Sequence, residues 1–379
     1  MDSRILRYNN GSIVHVVRPC HNGDGADLIA VGGEHSVDIL QATPSTSVKR
    51  VASFHVGSRI TALAWSPKSV SPSAGDEWSI EIVAAAVDYS LHLLTKSHDS
   101  AEHIFQFGGG LSGHHGRIND MCYCGGQSQE NVRYVATVSD DKMLMIWDLY
   151  PAVDISSNIL SASSREEPVS SPTPRAQPTA YVISFPHPLT SVSPHVSSSK
   201  EFLVSDCRGS IFITDWRSDP DQVDTFARRH GTVIELVEPA ALSQALTGTL
   251  AQWAGSAGWK PTTPEIVGAA YGSSFSIWDL SNIRGGKPQF SATTFPEGGK
   301  HFRWSPQRPD VFAVSGQPSS QGAMIHVYNT AYLQAQPNAV QVAPAPHCIR
   351  DFHFMAVNDG LAMVAAVDQE VLIFALGTD

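Results

Sequence analysis

Charge is scarce in this sequence. Only 16% of its 379 residues are charged, where a typical soluble chain carries about 25%, and the balance is acidic: 25 Lys and Arg against 36 Asp and Glu, a formal net charge of −11. No basic stripe is long enough to follow a phosphate backbone. The longest cluster, Arg228, Arg229 and His230, reads as ordinary surface, so direct nucleic-acid binding is not expected. Long apolar runs are missing too. The nearest uncharged stretch, 239–259, contains Ser243, Gln244, Thr247, Gly248, Thr249 and Gln252 and is too polar for a span of about 20 apolar residues, so no membrane insertion is expected. Residues 1–10 place Asp2, Arg4 and Arg7 where a secretory signal would need an apolar segment. The five cysteines, Cys20, Cys122, Cys124, Cys207 and Cys348, are odd in number and lack CxxC spacing, which fits neither a disulfide framework nor a tetrahedral zinc site. These features suggest a soluble chain from a reducing, intracellular compartment.

What is present is a repeat. An apolar run, a tight turn of small or acidic residues and a second, alternating run ending in a bulky side chain recur seven times. The second runs are 36–40, 90–94, 144–147, 210–214, 274–278, 324–328 and 370–374, each the length of a short strand. The runs before them, such as 28–31, 82–86, 134–138, 202–204, 311–314 and 363–366, are apolar at successive positions, as in strands buried on both faces. Upstream of several units lies a further strand ending in a proline turn, as at 60–67, 189–194 and 301–306. Four strands per unit, buried inside and polar at the edge, predict an all-β fold: a single seven-bladed WD40-type β-propeller over residues 1–379.

The third unit carries the fullest motif. Gly113-His114, Asp141 in the turn and Ile146-Trp147-Asp148 stand where the WD pattern has its Gly-His, turn Asp and Trp-Asp. In such a blade His114, Asp141, a strand hydroxyl (Thr137 or Ser139) and the Trp147 indole form a buried hydrogen-bond chain. A catalytic His114–Asp141 pair is the rival reading, and the structural one outweighs it. Asp88 and Asp368 are expected at the same turn place and Trp278 at the strand end, whereas Arg208 and Gly272 replace the turn acid in blades four and five.

The last unit is one strand short, and residues 4–8 are expected to complete it, closing the ring and removing an exposed edge. Two insertions interrupt the repeat. Residues 151–180 hold seven Ser, five Pro and no aromatic, a composition expected to be disordered; Ser171-Pro172 and Thr173-Pro174 are phosphorylation candidates of the kind common in such loops. Residues 238–260 place Leu242, Leu246 and Leu250 on one helical stripe after Pro239, so this insertion is expected to be partly helical, packed on its own blade or offered to a partner.

Signatures of catalysis are not found. Residues 108–113 lack the Gly-Lys-Ser/Thr ending of a phosphate loop, and the histidines show neither HExxH nor paired ligand spacing. No catalytic residue, cofactor or metal is assigned, and the chain is expected not to be an enzyme.

A more specific likeness rests on 28–33, 54–67, 113–120, 138–141 with Ile146-Trp147, and 302–305 with 312–316. Taken in order, these segments resemble the small WD-repeat nucleoporins of the Y-shaped outer-ring complex of the nuclear pore, from about His15 to Phe374 and broken at the two insertions. The insertions depart from the animal members and point to a fungal one. The resemblance implies a non-catalytic scaffold at the nuclear pore in the nuclear envelope. It further implies docking onto the large long-arm nucleoporin, itself a propeller followed by an α-helical domain, alongside other outer-ring nucleoporins, in support of RNA and protein transport. The rival is a WD-repeat reader that binds a peptide or histone tail on a propeller face, which predicts acidic or aromatic residues converging at one mouth.

Overall fold

Strands that are apolar on both faces must be packed between sheets, and a ring of sheets satisfies all of them at once. The computed structural model describes residues 5–42, 47–151, 175–217, 233–237, 255–283, 285–316, 321–356 and 360–376. These form seven four-stranded antiparallel sheets in a closed ring, a seven-bladed β-propeller without an α-helix among the described residues.

The innermost strands are Val16–Pro19, Ile60–Trp65, Ile118–Tyr123, Leu189–Pro194, Ser256–Trp259, Gly299–Trp304 and Ile349–Phe354. The second and third strands of each blade coincide with the apolar runs read from the sequence; Ile266–Tyr271 fills that place in blade five. The outer strands Thr179–Ser184 and Phe290–Thr293 hold only exposed and half-buried residues, because they lie at the rim of the ring.

The core is divided into seven apolar layers, each shared by two adjacent blades. The closing layer packs Val14, Val17 and Ile29 of blade one against Met355, Val364 and Ile373 of blade seven. Leu6–Asn9 pairs antiparallel with Glu370–Leu376, so chain start and chain end share one sheet. Layers come close enough to need glycine at Gly268, where a Cβ would collide with the Phe302 ring of the next blade.

Both insertions are narrower than their sequence bounds. Thr179 and Ala180 already belong to the outer strand of blade three, and Ser256–Trp259 is the innermost strand of blade five. The small side chains of 256–258 hid a short strand that lines the channel and gives only Ala257 and Trp259 to the core. The Ser/Pro-rich segment 152–174 and the leucine stripe lie outside the described residues.

The blades are also joined by polar contacts around the axis. The carboxylate of Asp120 accepts the amide of Val192 in the next blade (3.2 Å), Ser191 Oγ that of Ala257 (3.1 Å), Ser256 Oγ that of Phe302 (2.6 Å), and Asp351 that of Val17 (3.2 Å). The four acceptors occupy equivalent positions, and each receives an amide from the equivalent place one blade on. Where the preceding blade offers no such acceptor, as at Ala62 and His301, the aspartate of the following blade takes its own neighbour's amide: Met121 to Asp120 and Phe352 to Asp351, both 2.9 Å.

Two outcomes follow. Deleting residues 1–10 strips the outer strand from blade seven and should lower the melting temperature sharply; an unchanged melting curve would mean that the ring closes without it. Ser256→Ala leaves the buried Phe302 amide without its acceptor, at a cost of about 1–3 kcal/mol in urea denaturation.

Candidate functional site

The polar residues of this protein gather in two places, the blade turns and the central channel. In blade three the indole N–H of Trp147 donates to Thr137 Oγ1 (3.0 Å), Thr137 lies 2.8 Å from His114 Nε2, and His114 Nδ1 lies 2.8 Å from Asp141 Oδ2. Because the indole can only donate, the hydroxyl of Thr137 is free to donate to Nε2, and Nδ1–H then donates to the carboxylate. Asp141 also accepts the amides of His115 (2.9 Å) and Met143 (3.0 Å). Burial alone would raise its pKa, but the hydrogen bond from His114 and these two amides hold it down at about 2. Every polar group here has a partner inside the blade, which makes the chain a turn lock. Asp148 stands outside it, bound to Arg133 by both carboxylate oxygens and capping the amide of Tyr150 (3.0 Å).

The other blades solve the same turn differently. Asp88 accepts from Ser58 (3.2 Å) and Ser90 (2.6 Å), and Ser90 in turn meets His92 Nε2 (2.8 Å), so the histidine comes from the third strand. Asp368 does not share the place of Asp141: its turn between Val367 and Glu370 has only two residues, and Asp368 itself takes the left-handed conformation (φ 52°) that Lys142 takes in blade three. It pairs with the half-exposed His347 at the surface. Trp278 is buried but donates to the Gly286 carbonyl (3.0 Å), with no histidine or aspartate behind it. Blade four has a turn acid that the six-residue spacing missed. Asp206, two residues before Arg208, is fully buried and accepts the amides of Arg208 (2.8 Å) and Ser210 (2.9 Å); its burial raises its pKa.

The channel narrows at Arg18, Asp120 and Arg303, which line the cavities on both sides of it. Arg18 Nη2 meets Asp120 Oδ1 at 2.8 Å, and Arg303 Nη2 lies 3.6 Å from Asp351 Oδ1. On one side, a cavity of about 630 Å³ opens where the innermost strands begin. Five of these strands carry a bulge there, and the extra residues, Thr61, Asn119, Thr190, Lys300 and Arg350, all face this mouth. The opposite cavity, about 640 Å³, holds Trp65, Trp259 and Trp304 at the strand ends. Two of these indoles bind a neighbouring blade's backbone, Trp65 to the Arg18 carbonyl (2.7 Å) and Trp304 to that of Gly258 (3.0 Å). Acidic residues do not dominate either mouth: the first is basic, and the aromatics of the second are packed between blades.

Burial raises the pKa of Cys20 and Cys124 to about 12 and that of Cys122 well above its usual range, which leaves these thiols poor nucleophiles. Among the described residues no group of three or more His, Cys, Asp and Glu is placed to hold a metal ion, and no helix is long and apolar enough to cross a membrane.

Seven four-stranded blades with a His–Asp–Thr–Trp lock in the third define a WD-repeat β-propeller. The sequence is similar to nucleoporin Nup37 of Mus musculus and of Homo sapiens, in each case 25% identical over 332 residues that cover 85% of this chain and 83% of the relative. The resemblance to the small WD-repeat nucleoporins is thereby borne out. No protein-family model matches the chain. The crystal structure of Chaetomium thermophilum Raptor superimposes on the whole chain with a TM-score of 0.65 at 13% identity; this chain spans 29% of Raptor's length, and the likeness is one of fold alone.

The lock has a pH signature. Because the pKa of Asp141 is depressed on folding, its contribution is complete above the ordinary carboxylate range, about pH 4, and is lost as the pH falls toward 2. Asp141→Asn should therefore be less stable than the natural chain at neutral pH in chemical denaturation, with the difference shrinking as the pH drops through that window.

Proposed function

We propose that the chain is a non-catalytic scaffold subunit of the nuclear pore complex, held in the Y-shaped outer-ring complex and supporting transport of RNA and protein. The observation that carries this reading is the similarity to Nup37 along 85% of the chain. The architecture is consistent with it, because the polar residues singled out from the sequence hold turns and strands together and leave rigid surfaces for partners. The partner we propose is the large long-arm nucleoporin, a propeller followed by an α-helical domain, with other outer-ring nucleoporins nearby.

The rim of blades three and four offers a place for that contact. Tyr181 on the outer strand of blade three is 62% exposed and faces blade four. The Tyr181 ring rests against Trp216, 5.2 Å between centroids, and Arg217 lies over the same indole at 4.5 Å. An exposed tyrosine backed by an indole and an arginine has the make-up of an interface centre.

Affinity purification of the tagged chain from nuclear-envelope extract, with mass spectrometry and size-exclusion of the pair, tests the reading. Stoichiometric recovery of the long-arm nucleoporin is expected, with Tyr181→Ala reducing it. Recovery of chromatin or ubiquitin-ligase components without pore proteins would replace the scaffold with the reader. Docking is expected to be rigid, so hydrogen exchange should slow over surface strands and loops only; protection of the whole ring would contradict it.

A further inference from the structure

The basic mouth is at odds with the charge of the chain. The molecule carries −11 overall, yet six cationic side chains from five different blades line this cavity (Arg18, Arg59, Arg117, Lys300, Arg303 and Arg350) against three carboxylates. Two of those carboxylates, Asp120 and Asp351, are already committed to Arg18, Arg303 and the backbone amides of the ring. The third, Asp140, accepts from Asn119 at 2.7 Å. Among the described residues Arg117 and Arg350 make no close ion pair, Arg59 is faced by Glu34, whose pKa its charge helps to lower, and Arg350 Nε is buried without a hydrogen bond. Lys300 donates only to the Arg350 carbonyl, at 2.7 Å. Burial pushes the pKa of Lys300 down, with Asp351 and Cys348 opposing the shift and Arg117 and Arg350 adding to it, and burial with Lys300 and Arg303 pushes that of His301 well below its usual value.

Like charges brought together on rigid strands are costly unless an anion joins them. Three of the cations are fixed by strand geometry: Lys300 and Arg350 are bulge residues, and Arg117 immediately precedes a bulged strand. We propose that this mouth is an anion-binding site that takes a compact cluster of phosphates or carboxylates, with Arg117, Lys300 and Arg350 making the direct contacts and Arg59 closing the opposite side. The cavity lies within the size range of small-ligand sites. The ligand can come from a free polyphosphate or from an acidic segment of a partner protein that inserts its side chains. The site is independent of the scaffold reading, because it needs no particular partner.

The test uses the full chain with two probes: inositol hexakisphosphate by titration calorimetry, and a fluorescein-labelled peptide of alternating Asp and Glu by anisotropy. Binding of one or both is expected at about 50 mM salt, with weakening at about 300 mM as the charges are screened. Preference for the phosphate identifies a free polyanion as the source, and preference for the peptide an acidic protein segment. Arg117→Ala combined with Arg350→Ala should weaken binding about tenfold or more, the loss expected of two charge-assisted hydrogen bonds. Lys49→Ala, exposed on an outer strand of blade one, should leave it unchanged. If the first pair lowers the melting temperature, Arg59→Ala with Arg117→Ala serves in its place. No binding of either probe at low salt, equal affinity in the mouth variants, or equal affinity for an uncharged peptide would overturn the proposal.

Discussion

The ring depends on one constraint: in six of the seven innermost strands an amide at the axis has no strand to pair with and turns to a side chain. Buried amides need acceptors. Four blades supply one from the equivalent side chain of the blade before, and two use their own aspartate. The choice has consequences for charge. Serine satisfies the amide without adding charge, but Asp120 and Asp351 place carboxylates in a narrow channel, and Arg18 and Arg303 answer them. The guanidinium groups at the waist of the channel thus follow from how the blades are latched.

Freed by that latch and by seven shared apolar layers, the blade turns have diverged. Only blade three has the complete His–Asp–Thr–Trp chain among the described residues. Blade two reroutes its aspartate through a serine to a third-strand histidine, blade four buries Asp206 earlier in the turn, and blade five ties its tryptophan to a loop carbonyl. Each arrangement meets the same requirement, that a polar group in a buried turn find a partner. Stability carried by the layers makes the particular solution interchangeable, and the period in the sequence becomes irregular as a result.

A ring latched at its axis and layered between its blades moves as one body, which suits a part that holds others in place. Its rim and its two mouths differ in chemistry: an aromatic and arginine patch between blades three and four, a basic opening at one end of the channel and an indole-lined one at the other. A single rigid disc can therefore meet an apolar partner and an anionic one without one surface compromising the other.

Much of the fold was legible because burial between sheets leaves a period-two or continuous apolar signal. The turn acid of blade three was legible from the spacing of the WD pattern, and the closure by the first strand from a last blade one strand short; the second and third strands carry the apolar signal in their own residues. The innermost strand of blade five did not, since a channel-lining strand is polar or small and resembles a loop. Nor did Asp368, whose turn is one residue shorter than the spacing implied, or the outer strand at 233–237, which has only one face to bury. The channel site lay further out of reach. Arg59, Arg117, Lys300 and Arg350 are separated by up to 291 positions in the chain, and each in isolation reads as surface charge. The sequence by itself determined how many blades there are and which residues fill the layers between them, because hydrophobic periodicity is local. Only the tertiary structure decided which charges meet, because ring closure and strand bulges, not sequence neighbours, bring them to one mouth.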